Sequence, residues 1–171
     1  MPRNIEIKAR IDKVEALLAR AQALADGPPQ TIAQDDTFFA CAQGRLKLRD
    51  FGDGQAELIH YQRADAVGPK PSDYVRVPGA DPAALREALR RALGVIGRVR
   101  KTRRLLLAGQ TRIPLDLVEG LGDFVELEVV LREGQAESDG VAIAEALLAR
   151  LGVAPAQRVA GAYLDLLGSP A

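Results

Sequence analysis

The first strand-like segment of the chain alternates strictly between aliphatic and polar side chains. Residues 3–12 read Arg-Asn-Ile-Glu-Ile-Lys-Ala-Arg-Ile-Asp. Strand side chains point alternately to opposite faces, so the aliphatic residues share one face; these are Ile5, Ile7, Ala9 and Ile11. The opposite face carries Asn4, Glu6, Lys8 and Arg10. This pattern predicts a sheet with one apolar face and one charged face.

Composition limits the classes of function. The 171 residues predict a single domain over 1–168 with a short tail at 169–171. Lys and Arg together number 23, as do Asp and Glu, and this zero net charge argues against a general nucleic-acid or membrane-surface binder. The single cysteine, Cys41, cannot form an internal disulfide, and no apolar run has the length of a signal or membrane span. We therefore expect a cytoplasmic protein that binds neither nucleic acid nor membrane.

Several further segments have strand character and lie close together in the sequence. The predicted strands after the first are at about 31–40, 44–50, 55–64, 73–77, 95–107, 110–118 and 123–132. The short connections between most of them favour antiparallel pairing, and helices lie between groups of strands, so the fold class is α+β. A sheet of this many strands tends to curl or close.

Helix starts are marked by capping signals. Asp12 and Glu15 resemble a capping box and predict a helix directly after the first strand. Asp81 precedes Pro82 and predicts the N-cap of a helix that runs to about Leu93. The Ala- and Leu-rich stretch after the polar loop 133–140 predicts further helices.

The later strands repeat the alternation of the first one. The cations predicted on the face opposite the aliphatic residues are Lys8, Arg10, Lys47, Arg49 and Arg63, with Lys101 and Arg103 as the favoured pair on their strand. The acids on the same face are Glu6, Glu57, Asp116, Glu126 and Glu128. One interpretation is the solvated face of an antiparallel sheet, which routinely carries charge.

The second interpretation is an enclosed site for a polyanion. Asp, Glu and Lys are poor strand residues, so their concentration needs a reason beyond solubility. Helices could cover the aliphatic face, and a curled sheet would then turn its charged face inward. Cations about 4 Å apart repel by roughly 4 kcal/mol near a protein surface. An enclosed cluster of this kind needs anions, such as a triphosphate.

The acids suggest a divalent metal. Glu126 and Glu128 point the same way from one strand and could meet Glu6 across a closed sheet. Magnesium and manganese prefer hard oxygen ligands and bridge carboxylates to phosphates. Paired glutamates on a strand are, taken alone, more often surface charge. No Walker-type glycine loop, dinucleotide fingerprint or nucleophile elbow is present in the sequence.

The order and spacing of short motifs over nearly the whole chain resemble the CYTH superfamily of triphosphate tunnel metalloenzymes, which includes class IV adenylyl cyclases and thiamine triphosphatases. The motifs are Asn4-Ile-Glu-Ile-Lys8, Gln34-Asp-Asp-Thr-Phe-Phe39, Gly44-Arg-Leu-Lys-Leu-Arg49, Ala56-Glu-Leu-Ile-His-Tyr-Gln-Arg63, Val99-Arg-Lys-Thr-Arg103, Arg112-Ile-Pro-Leu-Asp116, Gly120-Leu-Gly-Asp-Phe-Val-Glu-Leu-Glu128 and Gly161-Ala-Tyr-Leu-Asp-Leu-Leu167. The Gly-Leu-Gly-Asp-Phe segment is most similar to the class IV cyclase branch.

The resemblance implies an eight-stranded antiparallel β-barrel that forms a triphosphate tunnel, with helices packed outside. It implies triphosphate binding by Lys8, Arg10, Lys47, Arg49, Arg63, Lys101 and Arg103. It also implies Mg²⁺ or Mn²⁺ held by Glu6, Glu126 and Glu128, and catalytic roles for Lys8, Arg103 and Asp116. Related enzymes are often dimers, so a homodimer is a possible assembly.

Three functions stay open at this point. The first is class IV adenylyl cyclase activity, which converts ATP to cyclic AMP and pyrophosphate. The second is hydrolysis of a terminal phosphate from ATP, inorganic triphosphate or thiamine triphosphate. The third is a non-catalytic module that binds nucleotide or polyphosphate. Asn4 stands where the family has its first glutamate, which predicts a weaker or single metal site, or a different substrate preference.

Overall fold

Eight antiparallel strands form a closed ring. The computed structural model describes residues 2–168. The strands are β1 (Arg3–Arg10), β2 (Gln30–Phe39), β3 (Arg45–Asp50), β4 (Gln55–Arg63), β5 (Lys70–Ala80), β6 (Val95–Ala108), β7 (Thr111–Val118) and β8 (Gly122–Val130). Their order is β5-β4-β3-β2-β6-β7-β8-β1, and β1 pairs back onto β5 to close the ring. The two-residue strand β9 (Arg158–Val159) also pairs with β1.

The helices pack on the outside of this ring, as the α+β prediction requires. They are α1 (Val14–Leu24), α2 (Pro82–Leu93), α3 (Glu137–Leu151) and the short α4 (Tyr163–Leu167). In the described part of the chain, no helix is both long and apolar enough to cross a membrane. The predicted tail at 169–171 lies outside the described residues, and the domain bounds stay a prediction.

The main hydrophobic core lies between the outer face of the ring and the helices α1 and α3. The outward aliphatic residues of β1, among them Ile5 and Ile7, are fully buried there. They pack with Leu17 of α1 and Leu148 of α3. Full burial of such side chains stabilises a fold by about 1.5–3 kcal/mol each. Because the aliphatic faces point out to the helices, the charged faces of the same strands must point into the ring.

The closing strand is longer than the sequence predicts. We expect a strand at 73–77, preceded by a turn at Gly68-Pro69-Lys70-Pro71, but β5 runs from Lys70 to Ala80. Lys70 and Pro71 pair with Glu6 and Ile5 of β1. This pairing joins segments far apart in the sequence, so local turn signals could not reveal it.

The two predicted helix caps have different outcomes. Asp81 accepts a hydrogen bond from the backbone N–H of Ala84 at 3.1 Å, as predicted for the start of α2. The predicted capping box at Asp12 is wrong, because no side chain of α1's own N-terminal segment caps it. Instead, the backbone N–H of Val14 donates to Oδ2 of Asp123 on β8 at 2.7 Å.

This distant cap gives a stability test. We expect Asp123→Ala to lower the free energy of unfolding by about 1 kcal/mol, because it leaves a backbone donor of α1 without its acceptor. Asp12→Ala is the matched control and should change it by less than about 0.5 kcal/mol. Urea denaturation of the wild-type protein, Asp123→Ala and Asp12→Ala measures the change in the free energy of unfolding for each variant. An equal loss in the two variants would contradict the cap assignment.

Candidate active site

The ring encloses a cavity of about 580 Å³ that receives side chains from all eight strands. In the described part of the chain, its lining includes eight cationic side chains: Lys8, Lys47, Arg49, Arg63, Arg76, Lys101, Arg103 and Arg112. It also includes six carboxylates: Glu6, Asp36, Asp53, Glu57, Glu126 and Glu128. The charged faces of the strands therefore line an interior cavity and are not a solvated outer surface.

Asp36 lies at the centre of the first cluster of charges. Its carboxylate accepts hydrogen bonds from Nε and one terminal nitrogen of Arg49, both at 2.8 Å. It also accepts from Nζ of Lys47 at 3.0 Å and from Nζ of Lys101 at 3.3 Å. One carboxylate thus faces three cations, and the cluster carries excess positive charge in the interior.

The strand order explains this cluster. Strand β2 lies between β3 and β6. The inward Asp36 is opposite Arg49 of β3, and Lys101 of β6 is opposite Gln34, two residues away. Asp36 stands inside the Gln34–Phe39 motif, but the sequence predicts no role for it. The available signal was a lone inward acid on a strand whose two neighbours each carry cations at alternate positions.

Burial has opposite effects on the partners in this cluster. Burial alone would raise the pKa of the Asp36 carboxyl, but Arg49, Lys101 and Lys47 hold that pKa well below its usual value. Burial lowers the pKa of the Lys47 ammonium to about 7, with repulsion from Arg49 and Lys101 acting in the same direction and Asp36 opposing it. Asp36 is therefore ionised at neutral pH, and Lys47 titrates close to pH 7.

A second cluster joins Arg103 to Asp116. The guanidinium of Arg103 donates two hydrogen bonds to the Asp116 carboxylate, both at 2.7 Å. The hydroxyl of Tyr163 donates to the same carboxylate at 2.8 Å. Asp116 is fully buried behind Arg103 and does not line the cavity itself. Its position fixes the orientation of Arg103.

Lys8 connects this cluster to the C-terminal segment. Its Nζ donates to the backbone carbonyl of Gly161 at 3.2 Å and lies 3.8 Å from the centre of the Tyr163 ring. It also lies 3.4 Å from Glu126. The sequence predicts no role for Tyr163, although it stands inside the Gly161–Leu167 motif, because an aromatic side chain after the last predicted strand carries no signal of which strand it contacts.

Three carboxylates of the lining come close to one another on β1 and β8. Glu6 is directly opposite Glu128 in the strand register. Burial raises the pKa of Glu6; Arg63 opposes this shift, and repulsion from Glu128 and Glu126 adds to it. Each of the three is paired with a cation: Glu6 with Arg63 at 2.7 Å, Glu128 with Arg112 at 2.7 Å and Glu126 with Lys8.

These carboxylates fit a divalent metal by their chemistry. They are hard oxygen donors, and a bound dication would relieve the repulsion among them. Among the described residues, no three acidic, histidine or cysteine side chains form a ready-made metal site. Each of the three carboxylates contacts a cation, so metal binding would require these side chains to exchange partners.

The structure brings together most of the predicted site residues. Those that line the cavity are Lys8, Lys47, Arg49, Arg63, Lys101, Arg103, Glu6, Glu126 and Glu128. Arg10 is placed elsewhere: it is exposed, donates to the carbonyl of Leu121 at 2.9 Å and lies over the Phe124 ring. It shares the parity of Lys8 but stands at the end of β1, where the buried Phe124 ring fills the interior. This geometry gives no support to phosphate binding by Arg10.

The lowered pKa of Lys47 makes stability depend on pH. Between pH 7 and about 10, the unfolded chain keeps a proton on Lys47 that the folded protein has lost, so this group makes the free energy of unfolding rise with pH. We expect Lys47→Met to reduce that rise by about 1 kcal/mol per pH unit between pH 7.5 and 9.5. Urea denaturation at several pH values measures the slope. Lys13→Met, at an exposed lysine before α1, is the control, and equal slopes in both variants would contradict the prediction.

Solved structures show the same fold. A protein from Pyrococcus horikoshii OT3 is 22% identical, with a TM-score of 0.85 over 96% of this chain and 99% of that chain. A putative adenylate cyclase from Vibrio parahaemolyticus is 18% identical, with a TM-score of 0.79 over 97% and 98%. A putative adenylyl cyclase from Hippeastrum, described as having a dominant triphosphatase activity, is 18% identical, with a TM-score of 0.63 over 90% and 89%.

The sequence itself identifies the family. No curated protein matches this chain closely enough to count as a relative. The family model of the CYTH domain, however, matches residues 2–163, which is nearly the whole chain. The resemblance predicted from the strand motifs is therefore confirmed, and this protein belongs to the CYTH domain family.

Proposed function

We propose that this protein is a metal-dependent enzyme that binds a triphosphate inside the ring, and that it is adenylyl cyclase-like, converting ATP to cyclic AMP and pyrophosphate. The Gly120–Phe124 segment, similar to the class IV cyclase branch, and the putative cyclase from Vibrio parahaemolyticus support this reaction. Hydrolysis of a triphosphate is the second candidate. The dominant triphosphatase activity of the Hippeastrum protein supports it.

The observation that carries the proposal is the cluster around Asp36. Lys47, Arg49 and Lys101 share one carboxylate inside a cavity, and the like charges repel more strongly there than in water. A polyanion would supply the missing negative charge. A triphosphate offers oxygens along its whole length, so it can contact this cluster and Arg63, Arg103 and Lys8 together.

Both reactions use the same residues in the same way. In cyclisation the ribose 3′-hydroxyl loses its proton to solvent, its oxygen bonds to the α-phosphorus, and the bond from that phosphorus to pyrophosphate breaks. In hydrolysis a water molecule loses a proton to solvent, its oxygen bonds to the γ-phosphorus, and the bond to the diphosphate breaks. Lys8, Arg103 and the Asp36 cluster would neutralise the charge that develops on the phosphate oxygens, and Asp116 and Tyr163 would hold Arg103 in place.

The proposal includes a divalent cation held by Glu6, Glu126 and Glu128. Mg²⁺ or Mn²⁺ bound there would polarise phosphate oxygens and lower the pKa of a bound hydroxyl or water. Glu6 and Glu128 are paired with Arg63 and Arg112, so if these carboxylates held the metal, the two arginines would be free to bind phosphate. Metal and triphosphate should therefore each favour binding of the other.

The direct test is to identify the products. The purified protein is incubated with Mg²⁺ or Mn²⁺ and, separately, with ATP, inorganic triphosphate and thiamine triphosphate. Cyclic AMP would support the cyclase, released phosphate would support the triphosphatase, and tight binding without turnover would support a non-catalytic module.

A pair of double variants tests the site itself. Lys47→Ala with Arg49→Ala should weaken triphosphate binding at least about a hundredfold, because two charge-assisted hydrogen bonds are lost. Arg98→Ala with Arg100→Ala removes the same charge from the outer face, where both arginines contact Asp35, and should leave affinity nearly unchanged. Isothermal titration calorimetry gives both affinities. Survival of binding in the first variant would show that the triphosphate lies elsewhere.

Asn4 gives a test of the metal site. Asn4→Glu adds a carboxylate on β1, two residues before Glu6, and should lower the metal concentration for half-maximal activation by about tenfold. Asn4→Gln introduces a side chain of the same length as glutamate without its charge, and it should leave that metal concentration unchanged. Calorimetric titration with Mn²⁺ checks the affinity independently of turnover. An unchanged metal-activation curve in Asn4→Glu would count against this role.

Two other expectations from the sequence remain predictions. We place the enzyme in the cytoplasm, where ATP is abundant and where its single cysteine would stay reduced. A homodimer is a prediction from the resemblance, which size-exclusion chromatography with light scattering would test.

A further inference from the structure

One row of polar side chains crosses the seam where the ring closes. In this row Arg63 of β4 is opposite Ser72 of β5, and Ser72 is opposite Asn4 of β1. All three residues line the cavity. The row therefore presents three different polar groups, side by side, to the interior of the ring.

Each member of this row has a buried polar atom without a hydrogen-bond partner. These atoms are Oδ1 of Asn4, Oγ of Ser72 and Nε of Arg63. Asn4 and Ser72 are each only 1% exposed. Arg63 uses a terminal nitrogen to contact Glu6 at 2.7 Å, which leaves its Nε free. Unpartnered buried polar groups cost stability and are rare in native proteins, so three in one row indicate that a ligand completes them.

The chemistry of the row identifies the kind of group that it would bind. The Asn4 oxygen only accepts hydrogen bonds, whereas the Ser72 hydroxyl donates and accepts. Phosphate oxygens ionised at neutral pH cannot donate to Asn4, so a phosphate alone does not complete the row. A hydroxyl both donates and accepts, and can bridge Asn4 and Ser72. The remaining Nε–H of Arg63 suits a phosphate oxygen next to that hydroxyl.

We propose that Asn4 and Ser72 bind a hydroxyl group beside the phosphate chain; this proposal rests on the triphosphate site proposed above. The hydroxyl comes either from the sugar of a nucleoside triphosphate or from the water that attacks a phosphate. In a chain where asparagine stands in place of the family's first glutamate, this part of the wall is neutral. A neutral amide and a serine suit an uncharged hydroxyl better than they suit a metal.

The test compares the binding of three ligands without metal and then measures turnover with Mn²⁺. Binding of inorganic triphosphate, ATP and 2′,3′-dideoxy-ATP is measured by calorimetry in the presence of EDTA for wild type, Asn4→Ala and Ser72→Ala. Thr111→Val is the matched control, because Thr111 is equally buried and its Oγ1 also lacks a partner, but it does not line the cavity. Thermal unfolding of each variant confirms folding, and Ser72→Ala should keep or raise the Tm because its hydroxyl has no partner in the free protein.

If the hydroxyl belongs to the sugar, wild type binds ATP about tenfold more tightly than dideoxy-ATP, and Asn4→Ala and Ser72→Ala each remove most of that preference. If it belongs to water, wild type shows no such preference. In that case the same variants lower kcat for triphosphate hydrolysis in Mn²⁺ about tenfold, with little change in KM. Either result supports the proposal, provided that Thr111→Val behaves as wild type.

The proposal is overturned if Asn4→Ala and Ser72→Ala change neither the ATP preference nor kcat, or if Thr111→Val produces the same changes. Failure of inorganic triphosphate to bind wild-type protein both in EDTA and with Mn²⁺ would overturn the proposed function instead. The two failures are therefore distinguishable.

Discussion

The pairing of β1 with β5 closes the sheet, which has one aliphatic and one charged face, into a ring with an interior cavity. Without it, the charged face would be open to water, and its ion pairs would be weak and screened. With the ring closed, the aliphatic faces of β1, β7 and β8 are buried under α1 and α3, and the charged faces surround a cavity of about 580 Å³. The same alternation that forms the hydrophobic core thus also forms the site.

Inside the ring, the carboxylates keep the cations in position while no ligand is bound. A lone buried charge is costly, and breaking a buried pair typically costs about 3–5 kcal/mol. Asp36 and Asp116 reduce that cost for their neighbouring cations, but Asp36 faces three cations and compensates only one charge. The protein is therefore stable enough to fold and still has unbalanced positive charge for a ligand. Burial lowers the pKa of Lys47 to about 7, and repulsion from Arg49 and Lys101 acts in the same direction.

The sequence predicted those features that depend on strand parity alone. Lys8, Lys47 and Glu126 line the cavity because each alternates with aliphatic neighbours on its own strand. Features that depend on contacts between distant strands were not accessible. The pairing of Asp36 with Arg49 on the next strand is local, but its contact with Lys101 depends on the distant strand β6. The cap of α1 likewise comes from Asp123 on β8.

The family match, the closed ring and the charge distribution are consistent with one another. The central claim that follows from them is that the cluster of Lys47, Arg49 and Lys101 binds the triphosphate. The most direct measurement is a crystal structure with inorganic triphosphate and no divalent metal. The account predicts phosphate oxygens inside the ring, within hydrogen-bond distance of at least two of these three cations. Triphosphate bound only on the outer surface, with the Asp36 cluster unchanged and the cavity empty of anion, would contradict it.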